Sequence, residues 1–207
     1  MEFTTIARER RSVKKYTPGL EIDEETLSKI FEPVLATPSA FNLQHWTFIA
    51  ARNPELKAAM QEAAWGQPQV GSSSVAILVT GKLNAHEDAP RIYAETPAEV
   101  QEQMLPMIEG FYAEKSQTQR DEAIRSASMA AMALMLSAKD LGFETGPMIG
   151  FDPDAMAKLL HLPENYIPVM LIVLGKGEAP TRARAYRHPL HDVVKIDYFD
   201  GEGLGGG

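Results

Sequence analysis

Hydrophobic positions recur along this chain with two periods, and the two periods divide it into helices and a few strands. Leu27, Ile30, Phe31, Val34 and Leu35 stand at i, i+3, i+4, i+7 and i+8, one face of a helix. Asp23 precedes that face as a cap, and Glu24 and Glu25 fill the first turn, where the helix dipole favours acids. Pro33 lies inside the pattern and predicts a kink or an early stop, because proline has no N–H and crowds the turn before it. Residues 2–9 predict a shorter helix, cut off by Pro18 and Gly19.

Beyond this, "TPSAFNLQHW" (37–46) reads as a loop and "WTFIAA" as a strand. Asn53 and Pro54 open a helix in "NPELKAAMQEAAW", and "GQPQVGSSS" breaks it. "VAILVTG" is the continuous apolar run of a buried strand. Residues 82–98 are polar and punctuated by proline. From 99 to 120 the pattern is helical but broken at Pro106. Residues 121–141 form the strongest helix, rich in Ala, Met and Leu, with Gly142 suited to its C-terminal cap. It is apolar on more than one face, which predicts a central or subunit-interface position. "FETGPMIGFDP" reads as a loop ending at a capping Asp152, with Pro153 opening a short helix. "YIPVMLIVLGKG" contains a strand, a basic segment with Arg182, Arg184, Arg187 and His188 follows, and "VVKIDYF" is a possible last strand. Long helices thus alternate with three or four strands. No repeat or long linker appears, so residues 1–200 read as one domain and 201–207, "GEGLGGG", as a flexible Gly-rich tail.

Composition narrows the function classes. The balance of 44% hydrophobic and 23% charged residues is that of a soluble globular protein. No apolar run approaches the ~20 residues of a membrane span, and the start lacks the apolar core of a secretory signal. The absence of cysteine excludes disulfides, thiolate metal sites and cysteine nucleophiles, and fits a reducing cytoplasm. A net charge of −8 argues against general nucleic-acid binding. Against that background "RERRSVKKY" (8–16) holds five of the twenty Lys and Arg residues.

Neither GxGxxG nor GxxxxGK[ST] is present, nor HExxH, nor a serine in a nucleophile elbow. "HPLH" (188–191) lacks the further ligands of a metal site. The basic cluster has few competitors. Taken alone it reads as a solvated helix end. With Ser12 among them, Arg10, Arg11 and Lys14 instead offer guanidinium forks, a hydroxyl and an ammonium within five residues, a set suited to a phosphate. A second constellation is "PSAFNLQHW" (38–46), where small residues permit close approach and Asn42 and Gln44 supply amides; it is equally an ordinary connection. The third is "GPMIGF" (146–151), whose backbone N–H groups can face an acceptor.

"RRSVKKY", then "TPSAFNLQHWTF", then "GPMIGFDP" after a long helix, then a C-terminal Arg before Pro, resemble the FMN-dependent nitroreductase family. The order and spacing match over nearly the whole chain, and "AWGQPQV" before an apolar strand fits the same layout. The resemblance implies an α+β fold, a mainly antiparallel sheet surrounded by helices. It implies a homodimer with two FMN sites at the interface, each C-terminal segment exchanged onto the partner's sheet.

By the same resemblance, Arg10, Ser12 and, through its backbone, Arg11 would hold the FMN phosphate and ribityl chain, and Lys14 the pyrimidine end of the ring. Pro38, Ser39, Ala40 and Asn42 would come from the other subunit. Gln67 would bond the pyrimidine edge, and Pro147, Met148, Ile149 and Gly150 would cover one face. Arg187 would be the second phosphate clamp, with Arg184 or Lys176 as substitutes. Some relatives carry an acid where this chain has Ile149, and a Lys–x–Arg pair where it has Ala185 and Arg187. Tyr93, Phe111 and Tyr112 are candidate walls for a small acceptor (a nitroaromatic, quinone, enone or another flavin). NADH or NADPH would be the reductant in ping-pong turnover, and the alternative is a flavin carrier or sensor on the same scaffold. No metal, nucleic acid or membrane is expected.

Overall fold

Four segments of strand composition pair into one antiparallel sheet: β1 (Trp46–Ala51), β2 (Val75–Lys82), β3 (Glu144–Met148) and β4 (Tyr166–Gly175), in the order β1-β2-β4-β3. The computed structural model describes residues 2–178 and 183–205, so Arg182 lies outside the described residues. Helices surround the sheet: α1 (Phe3–Glu9), α2 (Glu24–Phe31), α3 (Pro54–Ala63), α4 (Pro68–Ser72), α5 (Ala89–Ile92), α6 (Ala98–Tyr112), α7 (Ser116–Asp140), α8 (Pro153–Leu159) and α9 (Leu190–Val193). The architecture is α+β, as the resemblance implied.

The continuous apolar run of β2 has a physical reason: both of its faces are covered. Val75, Ile77 and Val79 pack with Ile172 and Leu174 of β4 against α7 and α2. Ala76 and Leu78 pack with Leu171 and Val173 against α3, α8 and the 13–16 segment. Alternate residues of each strand therefore feed two separate cores. The small side chains of α7 let it press on the sheet. At Gly81 an added Cβ would stand 2.9 Å from the carbonyl oxygen of Ala123, so only glycine fits that crossing.

The helix starts follow the sequence signals. The Asp23 carboxylate accepts from Thr26 N at 2.7 Å, the Asn53 side chain from Leu56 N at 2.8 Å, and the Asp152 carboxylate from Asp154 and Ala155 N at 3.0 Å. Pro33 stops α2 early, and Glu32–Ala36 continues as a 3-10 turn.

Five expectations are corrected. The segment 144–148 is strand β3 and not loop, because β4 supplies a partner for every residue of it and an edge strand tolerates Pro147. Helix α6 runs through Pro106, and the break falls at 113–115, where Glu114 takes a left-handed φ of 60°. Helix α7 accordingly starts at Ser116. "GQPQVGSSS" contains α4, and the polar stretch 82–98 contains a 3-10 turn and α5. Residues 193–199 form no strand: after α9 a single bridge joins Lys195 to Gly203, and Phe199 is 98% exposed. A strand needs a partner row, and no described residue of this chain provides one. Residues 201–205 turn back on this segment, with Ile196 N donating to Glu202 O and Leu204 N to Val194 O.

Candidate functional site

The C-terminus of α1 delivers Arg10, after which the chain runs extended along β3. Ser12 bridges Thr145 in parallel, and Val13 N donates to Thr145 O at 3.0 Å. Val13 and Tyr16 are the buried anchors of this segment, and the Tyr16 hydroxyl donates back to Val13 O at 3.1 Å. With Val13 inward, Ser12 and Lys14 face outward on one side. The path is tight: a Cβ on Gly146 would stand 2.6 Å from Val13 O.

Arg10, Arg11, Ser12, Arg184 and Arg187 come together around a cavity of about 190 Å³. The four arginines are not equivalent. Arg184 Nη2 donates to the carbonyls of Ala7, Arg8 and Arg10, at 3.0, 2.8 and 3.0 Å. Arg11 Nη1 donates to Arg8 O at 2.5 Å and Arg10 O at 3.0 Å. Both close off the unsatisfied carbonyls at the end of α1. Arg187 Nη1 bonds its neighbours' carbonyls, Tyr186 O at 2.9 Å among them.

Arg10 differs. Its Nε and Nη1 are buried and have no hydrogen-bond partner among the described residues. Burial holds its pKa below the usual arginine value, and the positive charges of Arg187 and Arg11 lower it further, against a smaller opposing pull from Glu144. Desolvation, and then Arg11, Arg187 and Arg10, lower Arg184 likewise. Buried donors without acceptors among like charges are costly unless an anion joins them. The donor set fits an oxyanion such as a phosphate monoester.

A second group lies at the end of β3. Gln67 Nε2 donates to Gly150 O at 2.6 Å, and Gln69 Nε2 donates to Gln67 Oε1 at 2.9 Å. Gln67 thus holds the backbone of Gly150, which leaves one amide N–H for a ligand. Ile149 is 78% exposed beside it. Trp65, not singled out from the sequence, is 70% exposed, with its ring 3.5 Å from where a Gly150 Cβ would stand. An aromatic between a helix end and a glycine was the available signal.

Pro38, Ser39, Ala40 and Asn42 belong to a third group. The Ser39 hydroxyl accepts from Gln44 N at 2.9 Å, and Phe41, Asn42 and Gln44 have left-handed φ. The Tyr93 hydroxyl donates to Phe41 O at 3.1 Å, and the Phe41 ring meets Phe111 at 5.7 Å and Tyr112 at 6.1 Å. Phe41 thereby ties this loop to the 85–112 segment, while Pro38 shares a groove with Met129 and Met132 of α7. Of the three candidate walls, Phe111 is exposed and Tyr93 half-buried, but Tyr112 is buried in the core cluster under α6. Tyr112 is a core ring, not an exposed wall. Among the described residues no cluster of His, Asp or Glu is arranged to hold a metal, and no helix is long and apolar enough to cross a membrane.

Comparisons with known proteins show the family of the chain. MhqN of Bacillus subtilis, provisionally named an NAD(P)H nitroreductase, is 39% identical over 202 residues, covering 94% of this chain and 98% of its own. A crystal structure of a provisionally assigned nitroreductase, YdfN of B. subtilis, superimposes with a TM-score of 0.91 at 38% identity, over 94% of this chain and 98% of that one. Another such structure, from Exiguobacterium sibiricum and in complex with FMN, gives a TM-score of 0.87 at 29% identity, over 94% and 97% of the two chains. The profile of the Nitroreductase family matches residues 7–176, and the chain belongs to that family.

Proposed function

We propose that this chain binds FMN and works as an NAD(P)H-dependent oxidoreductase on a small acceptor such as a nitroaromatic or a quinone. The observation that carries the reading is Arg10: two buried guanidinium nitrogens without partners, in a pocket of arginines beside Ser12. FMN, when bound, supplies a ring that accepts and passes on two reducing equivalents, so that nicotinamide and acceptor use one site in turn.

In this reading Arg10 and Arg187 hold the phosphate, and Ser12 holds the chain that joins it to the ring. Arg184 and Arg11, engaged by the α1 carbonyls, fix the position of Arg10. Lys14, two residues beyond Ser12 on the same outward side, brings a fixed positive charge to the ring's pyrimidine end. A charge already in place stabilises negative charge there without reorganising. Gln67 keeps the 147–150 backbone in place, and the exposed Ile149 and Trp65 leave an apolar face for a flat acceptor.

The site is completed by a second copy. The outer edge of β1 is unpaired among the described residues, and Pro33, Pro38, Met129, Met132 and Leu136 line an open apolar groove of about 400 Å³. Leu190, Val193, Ile196, Tyr198 and Phe199 form an exposed apolar row without cover from the described residues of their own chain. An exchanged C-terminal segment would bury both surfaces and bring Pro38, Ser39, Ala40 and Asn42 of one subunit to the Arg10 pocket of the other.

The purified protein should be yellow and should bleach anaerobically with NADH or NADPH. A colourless protein that takes up no added FMN would refute the proposal. A yellow protein that neither nicotinamide bleaches would reduce it to flavin binding, the property of a carrier or sensor.

A further inference from the structure

A cavity of about 570 Å³ lies away from the arginine pocket. It lies between the 18–22 loop, the start of α3 and the Gly71–Ser74 turn. Lys57 reaches into its wall. The residue is 8% exposed, and its ammonium donates to Ser73 O at 2.5 Å and more distantly to Ser74 O at 3.5 Å. No described carboxylate pairs with it. Burial alone lowers its pKa, with no opposing pull from an acid. Ser74 is equally 8% exposed, and its hydroxyl is buried without a hydrogen-bond partner.

Closing the end of α4 accounts for two of the three ammonium donors. One N–H of Lys57 is left, and Lys57 and Ser74, whose hydroxyl has no partner, both line the crevice. Arg52, also lining the crevice, is already paired with Glu24 at 3.0 Å. Glu21 is the other carboxylate nearby, exposed at the rim. A buried cation without a counter-charge, beside an unused hydroxyl and an open cavity, is the arrangement an anion completes.

We propose that this crevice binds a small oxyanion, of which inorganic phosphate is the simplest, on the Lys57 ammonium and the Ser74 hydroxyl. Ser74 and Tyr16 both lie against Gly175 of β4. A Cβ on Gly175 would stand 3.1 Å from Ser74 Oγ and 3.0 Å from the Tyr16 ring. The inference stands apart from the flavin assignment.

The test is thermal unfolding of the full chain in inorganic phosphate against chloride of matched ionic strength, for wild type, Arg10→Ala, Lys57→Met and Ser74→Ala. A ligand that binds only the folded state raises Tm saturably. Because the Arg10 pocket can itself take phosphate, Lys57→Met and Ser74→Ala are read in the Arg10→Ala background. The expected result is a phosphate-dependent rise kept in Arg10→Ala and lost when Lys57→Met is added. A rise that survives Lys57→Met would overturn the proposal. Ser74→Ala, which removes one hydrogen bond to a charged group, should weaken the response by about tenfold in phosphate concentration. If Lys57→Met does not fold, Ser74→Ala carries the test. A rise that persists unchanged in Ser74→Ala, that disappears in Arg10→Ala, or that chloride reproduces would overturn the proposal.

Discussion

His45 should make this protein lose stability in mild acid, and the size of the loss follows from its surroundings. The residue is almost fully buried where β1 begins, and its Nδ1 has no partner among the described residues. Its ring leans on Tyr112 at 6.1 Å, and His86 stacks on that same Tyr112 at 5.7 Å. Glu122 lies near but is already engaged by Ser126 and Arg125. Burial pushes the His45 pKa from 6.5 down to about 4, with Glu122 pulling it up and His86 adding to the depression. The unfolded chain then binds the proton more readily than the folded one. Stability is fully present above the unfolded value, declines as pH falls below 6.5, and stops declining below about 4. Two and a half pH units at about 1.4 kcal/mol each give a maximum loss of about 3 kcal/mol. Between pH 7 and pH 5 the loss is about 2 kcal/mol. Other groups contribute to acid sensitivity, so the measurement is a difference: urea unfolding of wild type and His45→Gln at each pH. The wild-type curve should fall about 2 kcal/mol further than the variant's between pH 7 and pH 5. Parallel curves would show that His45 keeps an ordinary pKa in the fold and would refute the reasoning.

Three further outcomes are expected. Arg10→Ala should weaken FMN binding by about tenfold or more, the scale of a hydrogen bond to a charged group, as read by fluorescence titration; unchanged affinity would reject the phosphate assignment. Gly81→Ala drives a methyl against the Ala123 carbonyl and should cost about 1–3 kcal/mol in urea unfolding, whereas Gly110→Ala, which meets nothing within 4 Å, should cost nothing measurable. Asp23→Ala removes the side-chain acceptor for Thr26 N and should cost about 1 kcal/mol, with a helical loss visible in circular dichroism.

Local signals in the sequence were reliable where the physics is local. Asp23, Asn53 and Asp152 each cap the helix that the pattern begins, because a cap is decided by three consecutive residues. The stop at Pro33 has the same character. The misread elements are those decided at a distance. "ETGPM" looks like a turn by composition and is a strand because Leu171 to Gly175 lie beside it. "VVKIDYF" looks like a strand and has no partner row within the described chain. Pro106 looks like a break but lies within α6, while the bend falls at Glu114. Tyr112 is a candidate wall by the resemblance, yet Phe41, Phe111 and His86 enclose it as a core ring.

The basic cluster shows the same division at the level of single side chains. The sequence supplied the alternation of Arg10, Ser12 and Lys14, and the buried Val13 and Tyr16 are what turn that alternation into one outward side. It did not reveal which arginines are free. Arg184 comes from over 170 positions away to close the end of α1, and Arg11 does so from the next residue. Those two have backbone acceptors and would be held in place with no ligand present. Arg10 has none for its Nε and Nη1, and the positive charges of Arg187 and Arg11 act on it more strongly than Glu144 does. Four cations gathered in an otherwise acidic chain are thus two that build the pocket, one at its mouth, and one whose donors lack acceptors until an anion arrives.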